Sequence, residues 1–471
     1  MAQLFFSALH KSSGKTAVSV GVAAALAGQG LRVQTFKKGP DYIDPGWLSQ
    51  ATKRPCYNLD FHTMHWAELL DTMVEQGRNA DFCLIEGTKG LHDGVDPGGR
   101  DSNAALAQLL GAPVVLVVDC RGLSRGIAPL LLGQAAFDPR LPIAGVILNR
   151  LGGARHEAKL RAAVERYTDI PVLGALGENP DLHIQDPYLG LVPANEQHDA
   201  AAAIARLAAA AAQGVDLPAL IGAAAPLPAR PLGRDANPRP GHRHRIRIAV
   251  ARDRAFGFYY PGDLQALEDA GAELHFFDAL RDTRLPAMDG LFLGGGFPER
   301  HAAELSANHA LRDAIATAAA AGLPIYAECG GLMYLARSLH AQDGRRHAMA
   351  GVLPVDVVME RRPQGRGYVR LAPTGAAPWS PLADPSCDIP AHEFHYSRLV
   401  EPAPQLPCAY QVLRGAGLGD GRDGLIVGNT LASYAHLRHT RATPWATRFV
   451  EFAASLARPA GGGELAAGAA D

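Results

Sequence analysis

A cysteine between a strand-like and a helix-like stretch is the most reactive side chain that this sequence offers. The apolar run from Leu323 to Ala327 leads through Glu328 into Cys329, two glycines follow, and an apolar helical pattern begins at Leu332. Glycines permit the sharp turn of a nucleophile elbow, which holds the preceding side chain out of the sheet. The N-terminus of the following helix favours a thiolate. The pattern therefore predicts that Cys329 is a nucleophile rather than a buried core cysteine.

A nucleophilic cysteine needs a general base and donors for the oxyanion that forms on the attacked carbonyl. His392 and His395 in the stretch HEFHYS are candidate bases, and so is His436. We expect His436, because it follows the last predicted strand, where an α/β fold returns to its catalytic edge. The backbone N–H groups of Gly295, in a triple glycine that also reads as a plain tight turn, and of Gly330 are expected to form the oxyanion hole.

A second chemical motif reads HKSSGKT, residues 10–16, between the first predicted strand and an apolar helix. In such a loop the backbone N–H groups, here including those of Ser13 and Gly14, cradle phosphate oxygens at the helix N-terminus. The Lys15 ammonium would neutralise the β- and γ-phosphates, and the Thr16 hydroxyl would hold Mg²⁺. The loop therefore predicts a site for ATP and Mg²⁺.

This loop departs from a full Walker A motif, because Leu9 stands where that motif has glycine. Lys11 instead gives the spacing K-x-x-G-K-T, which is found in partitioning ATPases and dethiobiotin synthetases. We therefore expect Lys11 to contact the nucleotide, with a solvated loop lysine as the alternative. Asn149, which closes the fifth predicted strand, either reads an adenine edge or serves as a cap.

Charged residues follow the second and third predicted strands. The stretch FKKGPDYIDP carries Lys37, which could meet a substrate carboxylate, and Asp41 and Asp44. Carboxylates at the C-terminal end of parallel strands are suited to organise Mg²⁺ or a substrate. We assign Asp41 and Glu86, together with the threonine of the phosphate loop, to the metal, and Asp44 to substrate or metal positioning. Lys89, in the loop after Glu86, is a further expected substrate contact.

Composition excludes several classes of protein. The chain has 471 residues, of which 48% are hydrophobic, and its 45 basic residues nearly balance 47 acidic ones. This balance calls for neither nucleic acid nor an anionic membrane as a partner. The six cysteines are scattered without a CxxC pair, so the sequence suggests neither disulfides nor zinc, and we expect a cytoplasmic location. No apolar stretch approaches the roughly 20 residues of a membrane span.

The order of strand-like and helical patterns predicts two α/β domains. Strand-like runs in the first half are Leu4 to Leu9, Arg32 to Lys37, Phe82 to Glu86, Val114 to Asp119, Ile143 to Asn149 and Val172 to Leu176. Several are apolar at every position, which indicates a parallel sheet covered by helices on both faces. We predict a first domain over residues 1–212, a Pro- and Ala-rich linker over 213–244, a second domain over 245–457 and a frayed tail over 458–471.

Eight motifs, taken together, carry a resemblance to a known family. In chain order they are KSSGKT, FKKGPDYIDP, IEGTKGLHDG, ARDRAFGFYYPGDL, GLFLGGGFPE, YAECGGLMYL, AHEFHYS and GNTLASYAH. From Leu4 to about Phe452 the chain resembles the cobyrinic acid a,c-diamide synthase family. The resemblance implies a P-loop domain like that of dethiobiotin synthetase, joined to a flavodoxin-like class I (triad) glutamine amidotransferase domain.

The resemblance also implies a reaction. Members of that family amidate the a- and c-acetate carboxylates of a tetrapyrrole, cobyrinic or hydrogenobyrinic acid. They use ATP and glutamine and pass through an acyl phosphate and channelled ammonia. By this similarity Cys329 is the glutaminase nucleophile and His436 its base. The resemblance also allows a homodimer.

Two departures from the family pattern leave alternatives open. Triad amidotransferases usually carry a glutamate two residues after the histidine, where this chain has Arg438. Pro187 and Tyr188 stand where corrin-forming members carry Arg-His, and Lys89 adds a cation, so an amidase of sirohaem or a sirohydrochlorin derivative is an alternative. From another class, a partitioning-type ATPase would explain the phosphate loop alone, but it has no use for the cysteine and the histidine.

Overall fold

The computed structural model describes residues 2–179, 199–227, 246–384, 386–400 and 405–457. They divide into two compact units, one formed by 2–227 with 257–262 and the other by the remaining residues. Each unit is built on its own β-sheet, so the predicted α/β class is confirmed. Pro187, Tyr188, the predicted tail and residues 228–244 of the predicted linker lie outside the described residues.

The first unit alternates strands and helices along the chain. Its described strands are β1 (Ala2–Ala8), β2 (Val33–Lys38), β3 (Tyr57–Leu59), β4 (Phe82–Glu86), β5 (Val114–Asp119), β6 (Ile143–Leu151), β7 (Val172–Gly177) and β8 (Ala225–Pro226). Its described helices are α1 (Lys15–Gly28), α2 (Ile43–Thr52), α3 (Trp66–Gly77), α4 (Asn103–Leu110), α5 (Ile127–Phe137), α6 (Ala154–Tyr167), α7 (Ala200–Gly214) and α8 (Leu217–Gly222).

The sheet of the first unit has the strand order β3-β2-β4-β1-β5-β6-β7, and every neighbouring pair in that order is parallel. This confirms the predicted parallel sheet. Strand β8 pairs antiparallel with the start of β1. The predicted linker began at residue 213, but α7 continues to Gly214, and α8 and β8 follow it. The first unit therefore extends beyond residue 212.

The central strands of this sheet are buried on both faces. In β1, Leu4 and Phe6 belong to one apolar cluster and Phe5 to another, and all three side chains are inaccessible to solvent. Such burial on both faces explains why three apolar residues follow one another in β1, from Leu4 to Phe6, without alternation. Strand β1 lies where the strand order reverses, so the loop after it opens at the crevice in which α/β sheets bind ligands.

The second half of the chain is richer in strands. They are β9 (Ile246–Ala251), β10 (Phe256–Phe258), β11 (Ala272–Phe277), β12 (Gly290–Leu293), β13 (Gly295–Gly296), β14 (Ile325–Glu328), β15 (Ser338–His340), β16 (Arg346–Ala348), β17 (Asp356–Met359), β18 (Gly365–Pro373), β19 (Ile389–His395), β20 (Ser397–Leu399), β21 (Cys408–Arg414), β22 (Arg422–Val427) and β23 (Thr430–Ser433). The α-helices described here are α9 (Pro261–Asp269), α10 (Ala302–Ala307), α11 (His309–Ala320), α12 (Gly330–Leu335) and α13 (Trp445–Leu456).

The main sheet of the second unit is mixed. Its order is β11-β9-β12-β14-β23-β22-β21-β18-β19, with parallel pairs from β11 to β23 and antiparallel pairs from β23 to β19. The sequence analysis did not anticipate the antiparallel half. The parallel half places β14 beside β23, so the loops that follow these two strands leave the same edge of the sheet. Among the described residues, no helix has the length and apolar character that crossing a membrane requires.

The turn after β14 is packed too tightly for any side chain at its second glycine. A Cβ placed on Gly331 would lie 2.2 Å from the backbone oxygen of Leu293, at the end of β12. A backbone oxygen held in a sheet cannot move aside cheaply. Gly331 is therefore required by the close packing of α12 on the neighbouring strand β12.

We expect Gly331→Ala to lower the free energy of unfolding by about 1–3 kcal/mol, because the added methyl group overpacks the turn. The measurement is the free energy of unfolding in urea. Gly133→Ala is the matched control, since a Cβ there meets no atom within 4 Å and Gly133 lies inside α5. That control should keep or slightly raise stability, by up to about 1 kcal/mol. Equal stabilities for the two variants would contradict the packing argument.

Candidate active sites

Cys329 lies at the turn between β14 and α12. Its backbone has φ 47° and ψ −96°, a conformation that is rare for a residue with a side chain. The Cys329 N–H donates to the backbone oxygen of Ser433 in β23, at 2.7 Å, which fixes the turn to the neighbouring strand. Strained backbone that is held by its surroundings is typical of a nucleophile elbow. The geometry supports the predicted role of Cys329, which itself stays a prediction.

The environment of the thiol differs from the expectation of a stabilised thiolate. Cys329 is 5% exposed, and its Sγ lies 3.7 Å from the backbone oxygen of Phe394. Burial raises the pKa of the Cys329 thiol, and the charges of Glu299 and Glu328 raise it further, against a small opposing effect of the Gly330 N–H. The short helix α12 does not overcome these effects. In this state the thiol is protonated at neutral pH, so nucleophilic attack requires a base.

His436 is held close to the elbow by the sheet. Ser433, which ends β23 three residues before His436, is in register with Glu328, the residue before Cys329. The backbones of His436 and His392 are bonded in both directions, at 2.7 and 3.3 Å, and His436 is 3% exposed. Its Nδ1 lies 3.3 Å from Oε2 of Glu328. These contacts support the assignment of His436 as the base.

The two histidines of the HEFHYS stretch have supporting contacts. The ring of His395 stacks on that of Tyr434, with centroids 3.8 Å apart, and its Nδ1 is bonded to the backbone oxygen of Ser397. His392 contributes the backbone bridge to His436. Both residues therefore stabilise the segment that carries His436, and this favours His436 over either of them as the base.

Arg438 does not provide the carboxylate that triad enzymes carry two residues after the histidine. It is buried, and its Nε lies 3.8 Å from Oδ1 of Asp263. Asp263 also accepts hydrogen bonds from the His439 N–H at 3.0 Å and from Nε1 of Trp445 at 3.1 Å. Burial raises the pKa of Asp263 to about 7, although the charge of Arg438 opposes this. The pair Arg438–Asp263 anchors the chain after His436.

The expected oxyanion hole is formed by segments that lie against each other. A Cβ built on Gly330 would come within 3.1 Å of the backbone nitrogen of Gly296, the residue after Gly295. The triple glycine and the elbow are thus in contact, as the sequence analysis required. Within the triple glycine, the atoms nearest to this position belong to Gly296, so its amide is a further candidate donor. The role of Gly295 and Gly330 as donors stays a prediction.

Polar side chains donate hydrogen bonds to the backbone of the phosphate loop in the first unit. Gly14 has φ 82° at the start of α1, a conformation that suits glycine. Nδ2 of Asn149 and a guanidinium nitrogen of Arg150 each donate, at 2.9 Å, to loop oxygens of Ser13 and Ser12. Asn149 therefore stabilises the loop, and its predicted contact with adenine stays untested. Lys11 is exposed at the rim of the loop.

Glu86 is the centre of the charged cluster beside this loop. It is fully buried at the end of β4, and its Oε1 accepts from Lys15 and from the Thr16 hydroxyl, both at 2.7 Å, and from Lys37 at 3.2 Å. Its other oxygen, Oε2, is buried without a hydrogen-bond partner among the described residues. An unpartnered buried carboxylate oxygen beside a threonine hydroxyl fits a Mg²⁺ ligand.

Lys37 differs from its predicted role as a contact for a substrate carboxylate. It is 1% exposed and pairs with Asp44 and Glu86 inside the cluster. Burial disfavours its charge, but the carboxylates of Asp44 and Glu86 outweigh burial and raise the pKa of Lys37. Burial lowers the pKa of Lys15. Lys37 is thus an internal counter-ion here, whereas Lys89 is exposed, as a substrate contact would have to be.

The two aspartates after β2 have different surroundings. Oδ2 of Asp44 accepts from the Thr16 hydroxyl at 3.2 Å, so Asp44 lies with Thr16 and Glu86. Asp41 uses Oδ1 to accept the backbone N–H groups of Ile43, at 2.9 Å, and of Asp44, at 3.1 Å. From the sequence we assign Asp41 to the metal and Asp44 to substrate or metal positioning. The contacts favour Asp44 as the metal ligand, with Asp41 capping the start of α2.

Sequence reasoning missed two buried carboxylates near the cysteine. Glu328 was noted only as part of the elbow, although a charged residue that ends an apolar strand is itself a signal. Asp423, in β22, accepts the backbone N–H groups of Tyr434 at 3.0 Å and Ala435 at 2.9 Å, directly before His436. Asp423 follows an ordinary Gly-Arg turn in the sequence, so nothing marked it.

Comparisons with known proteins agree with both units. Residues 9–186 match the model of the CobQ/CobB/MinD/ParA nucleotide binding domain, and residues 247–443 match that of the CobB/CobQ-like glutamine amidotransferase domain. Together the two domains define a glutamine-hydrolysing carbon–nitrogen ligase with a nucleotide-binding domain.

Relatives over nearly the full length make the assignment more specific. A cobyrinate a,c-diamide synthase of Magnetococcus marinus is 44% identical over 462 residues, which cover 96% of this chain and 97% of the relative. Proteins of the same name from Dehalococcoides mccartyi and Methanosarcina acetivorans are 41% and 38% identical, covering 92% and 98% of this chain and 94% and 95% of the relatives. The chain belongs to the cobyrinate a,c-diamide synthase family, which confirms the resemblance seen in the motifs.

The buried Asp263 predicts a pH dependence of stability. An aspartate titrates near 3.9 in an unfolded chain and, at this site, near 7 in the folded one. Between these values the folded state binds more protons, so the contribution of Asp263 to stability falls as pH rises from about 4 to about 7. Asp263→Asn removes this loss. We expect the stability of the variant, relative to the unmodified protein, to improve by up to about 1.4 kcal/mol per pH unit in that window.

The measurement is urea unfolding of both proteins at several pH values between 4.5 and 8. His439, whose pKa burial lowers to about 4, titrates in both proteins, so its effect cancels in the difference. Stability curves that run parallel over this range would contradict the raised pKa of Asp263.

Proposed function

We propose that this protein amidates the a- and c-acetate carboxylates of cobyrinic or hydrogenobyrinic acid, with glutamine as the nitrogen donor and ATP as the energy source. The observation that carries the proposal is the match over nearly the full chain to proteins named cobyrinate a,c-diamide synthase. A partitioning-type ATPase leaves the second unit unexplained. The sirohaem alternative depended partly on Pro187 and Tyr188, which lie outside the described residues.

In the second unit the chemistry is hydrolysis of glutamine. As Sγ of Cys329 bonds to the amide carbon, its proton passes to Nε2 of His436, and the amide oxygen becomes an oxyanion near the amides of Gly330 and the triple glycine. His436 then gives the proton to the amide nitrogen, the C–N bond breaks and ammonia leaves. Water, deprotonated by the same histidine, cleaves the thioester to glutamate and restores the thiol. The buried, protonated thiol makes this proton transfer necessary.

In the first unit the chemistry is activation of a carboxylate. An oxygen of the acetate carboxylate attacks the γ-phosphorus of ATP and ADP leaves, which gives an acyl phosphate. Ammonia attacks the acyl carbon, phosphate leaves and a proton is released, so that an amide remains. The loop amides and Lys15 would bind the phosphates. Thr16, Glu86 and Asp44 would hold Mg²⁺, which would neutralise charge on the transferring phosphoryl group.

The direct test is incubation of the protein with cobyrinic acid, ATP, Mg²⁺ and glutamine, followed by mass spectrometry. We expect two successive losses of about one mass unit, because each conversion of a carboxylic acid to an amide replaces OH by NH₂. Sirohaem at equal concentration serves as the competing acceptor. A higher kcat/KM for sirohaem than for cobyrinic acid would contradict the proposed acceptor.

Cys329→Ser is the control for the nitrogen source. This variant should form no diamide from glutamine but should form it from ammonium salts, because only the first chemistry needs the thiol. Glutamate release that persists in Cys329→Ser would show that the nucleophile lies elsewhere.

The metal assignment predicts different effects for the two aspartates. Asp44→Asn removes a charged ligand, so we expect the Mg²⁺ concentration for half-maximal ammonia-dependent amidation to rise by about tenfold or more. Asp41→Asn is the matched control, because an asparagine oxygen still caps the backbone N–H groups at the start of α2. Its Mg²⁺ requirement should change by less than about threefold. The reverse order of effects would return the metal to Asp41.

A further inference from the structure

Glu328 has contacts that suit a third member of the amidotransferase site. The side chain is 3% exposed, directly before the cysteine in the sequence. Its Oε1 accepts from the Tyr326 hydroxyl at 2.6 Å and from the backbone N–H of Leu437 at 2.9 Å. Its Oε2 lies 3.3 Å from Nδ1 of His436. One oxygen is thus held by two donors while the other faces the imidazole.

We propose that Glu328 is the positioning carboxylate of this site, in place of the glutamate that triad enzymes carry two residues after the histidine. The proposal rests on the proposed glutaminase function. If Nδ1–H donates to Glu328 across this 3.3 Å contact, the neutral imidazole has its lone pair on Nε2, the nitrogen that must accept the thiol proton. The carboxylate also stabilises the imidazolium that exists between the two proton transfers.

Other buried carboxylates of the second unit have different partners. Asp263 binds Arg438, the His439 N–H and Trp445. Asp423 accepts backbone N–H groups.

Glu393 likewise accepts two backbone N–H groups, those of Ala416 at 2.7 Å and Gly417 at 2.9 Å. It lies 3.8 Å from His395 rather than beside His436. Glu328, by contrast, lies at ion-pair distance from His436, with 3.3 Å between its Oε2 and Nδ1 of the imidazole.

The position of Glu328 in the fold explains how it reaches the histidine. It is the last residue of β14, in register with Ser433 of β23, and the next residue is bonded to the Ser433 oxygen. The chain after β23 passes back over this end of β14, where the Leu437 N–H binds the carboxylate. A single strand end therefore carries both the nucleophile and the carboxylate that orients its base.

The test is the kinetics of Glu328→Gln and Glu328→Asp. A glutamine NH₂ facing Nδ1 would favour the tautomer with its proton on Nε2, which cannot accept the thiol proton. We expect kcat for glutamate release to fall by about 10²–10⁴-fold in Glu328→Gln, with KM for glutamine changed less than about threefold. Ammonia-dependent amidation should stay within about twofold. Glu328→Asp keeps the charge, so its kcat should be at least about tenfold higher than that of Glu328→Gln.

Asp263→Asn is the control for a merely structural role. It removes another buried carboxylate, whose polar contacts are with Arg438, the His439 N–H and Trp445, so its kcat should stay within about threefold. A kcat within threefold of the unmodified protein in Glu328→Gln would overturn the proposal, as would an equal fall of kcat in Asp263→Asn.

A second variant keeps the proposal testable if Glu328→Gln does not fold. Tyr326→Phe removes one of the donors that hold Oε1 and leaves the charge in place. We expect a fall in kcat of about three- to tenfold at constant KM, and an unchanged kcat would contradict the proposal. Absence of glutamate release from the unmodified protein would overturn the proposed function and this inference together. The proposed function and the role of Glu328 are both supported if Glu328→Gln and Cys329→Ser lose glutamate release, Asp263→Asn keeps it, and ammonia-dependent amidation stays intact in all three variants.

Discussion

A buried carboxylate at the end of a parallel strand is the interaction on which each of the two sites depends. Glu86 ends β4 in the first unit, and Glu328 ends β14 in the second. Each is almost inaccessible to solvent, and each gathers the reactive groups around it, the phosphate-loop lysine and threonine in one case and the histidine in the other. Parallel strands place such residues at the edge where ligands bind.

Burying these charges is costly, and the surroundings show how the cost is met. A carboxylate that is removed from water requires several hydrogen bonds or opposite charges. Glu86 has Lys15, Thr16 and Lys37, whereas Glu328 has a tyrosine hydroxyl, a backbone N–H and an imidazole. The difference suits two kinds of chemistry. The lysines around Glu86 suit the binding of phosphate groups. The imidazole of His436 beside Glu328 suits the transfer of a proton, because an imidazole can gain and lose one near neutral pH.

The resting state of the cysteine determines what its neighbours must do. Burial keeps the thiol protonated, and the strained turn at φ 47° holds it at one place. A protonated nucleophile gains reactivity only through a base in the right tautomer, which makes the orientation of His436 a central requirement. The close packing of the glycines against β12 and the triple glycine leaves the turn little freedom. The rigid backbone fixes the position of the thiol, and the orientation of the imidazole decides which of its nitrogens can accept the thiol proton, so the reaction requires both.

The sequence by itself determined the parallel sheet, the phosphate loop, the cysteine elbow and the family, because each is encoded in a contiguous stretch. Local patterns failed where an element was short, as for the three-residue strand β3, which none of the predicted strand-like runs covers. Only the tertiary structure decided that Lys37 is an internal counter-ion, that Asp44 rather than Asp41 meets Thr16, and that Glu328 faces His436, 108 positions along the chain. These pairings are set by strand register and by the path of the chain after β23, and single stretches of sequence contain neither.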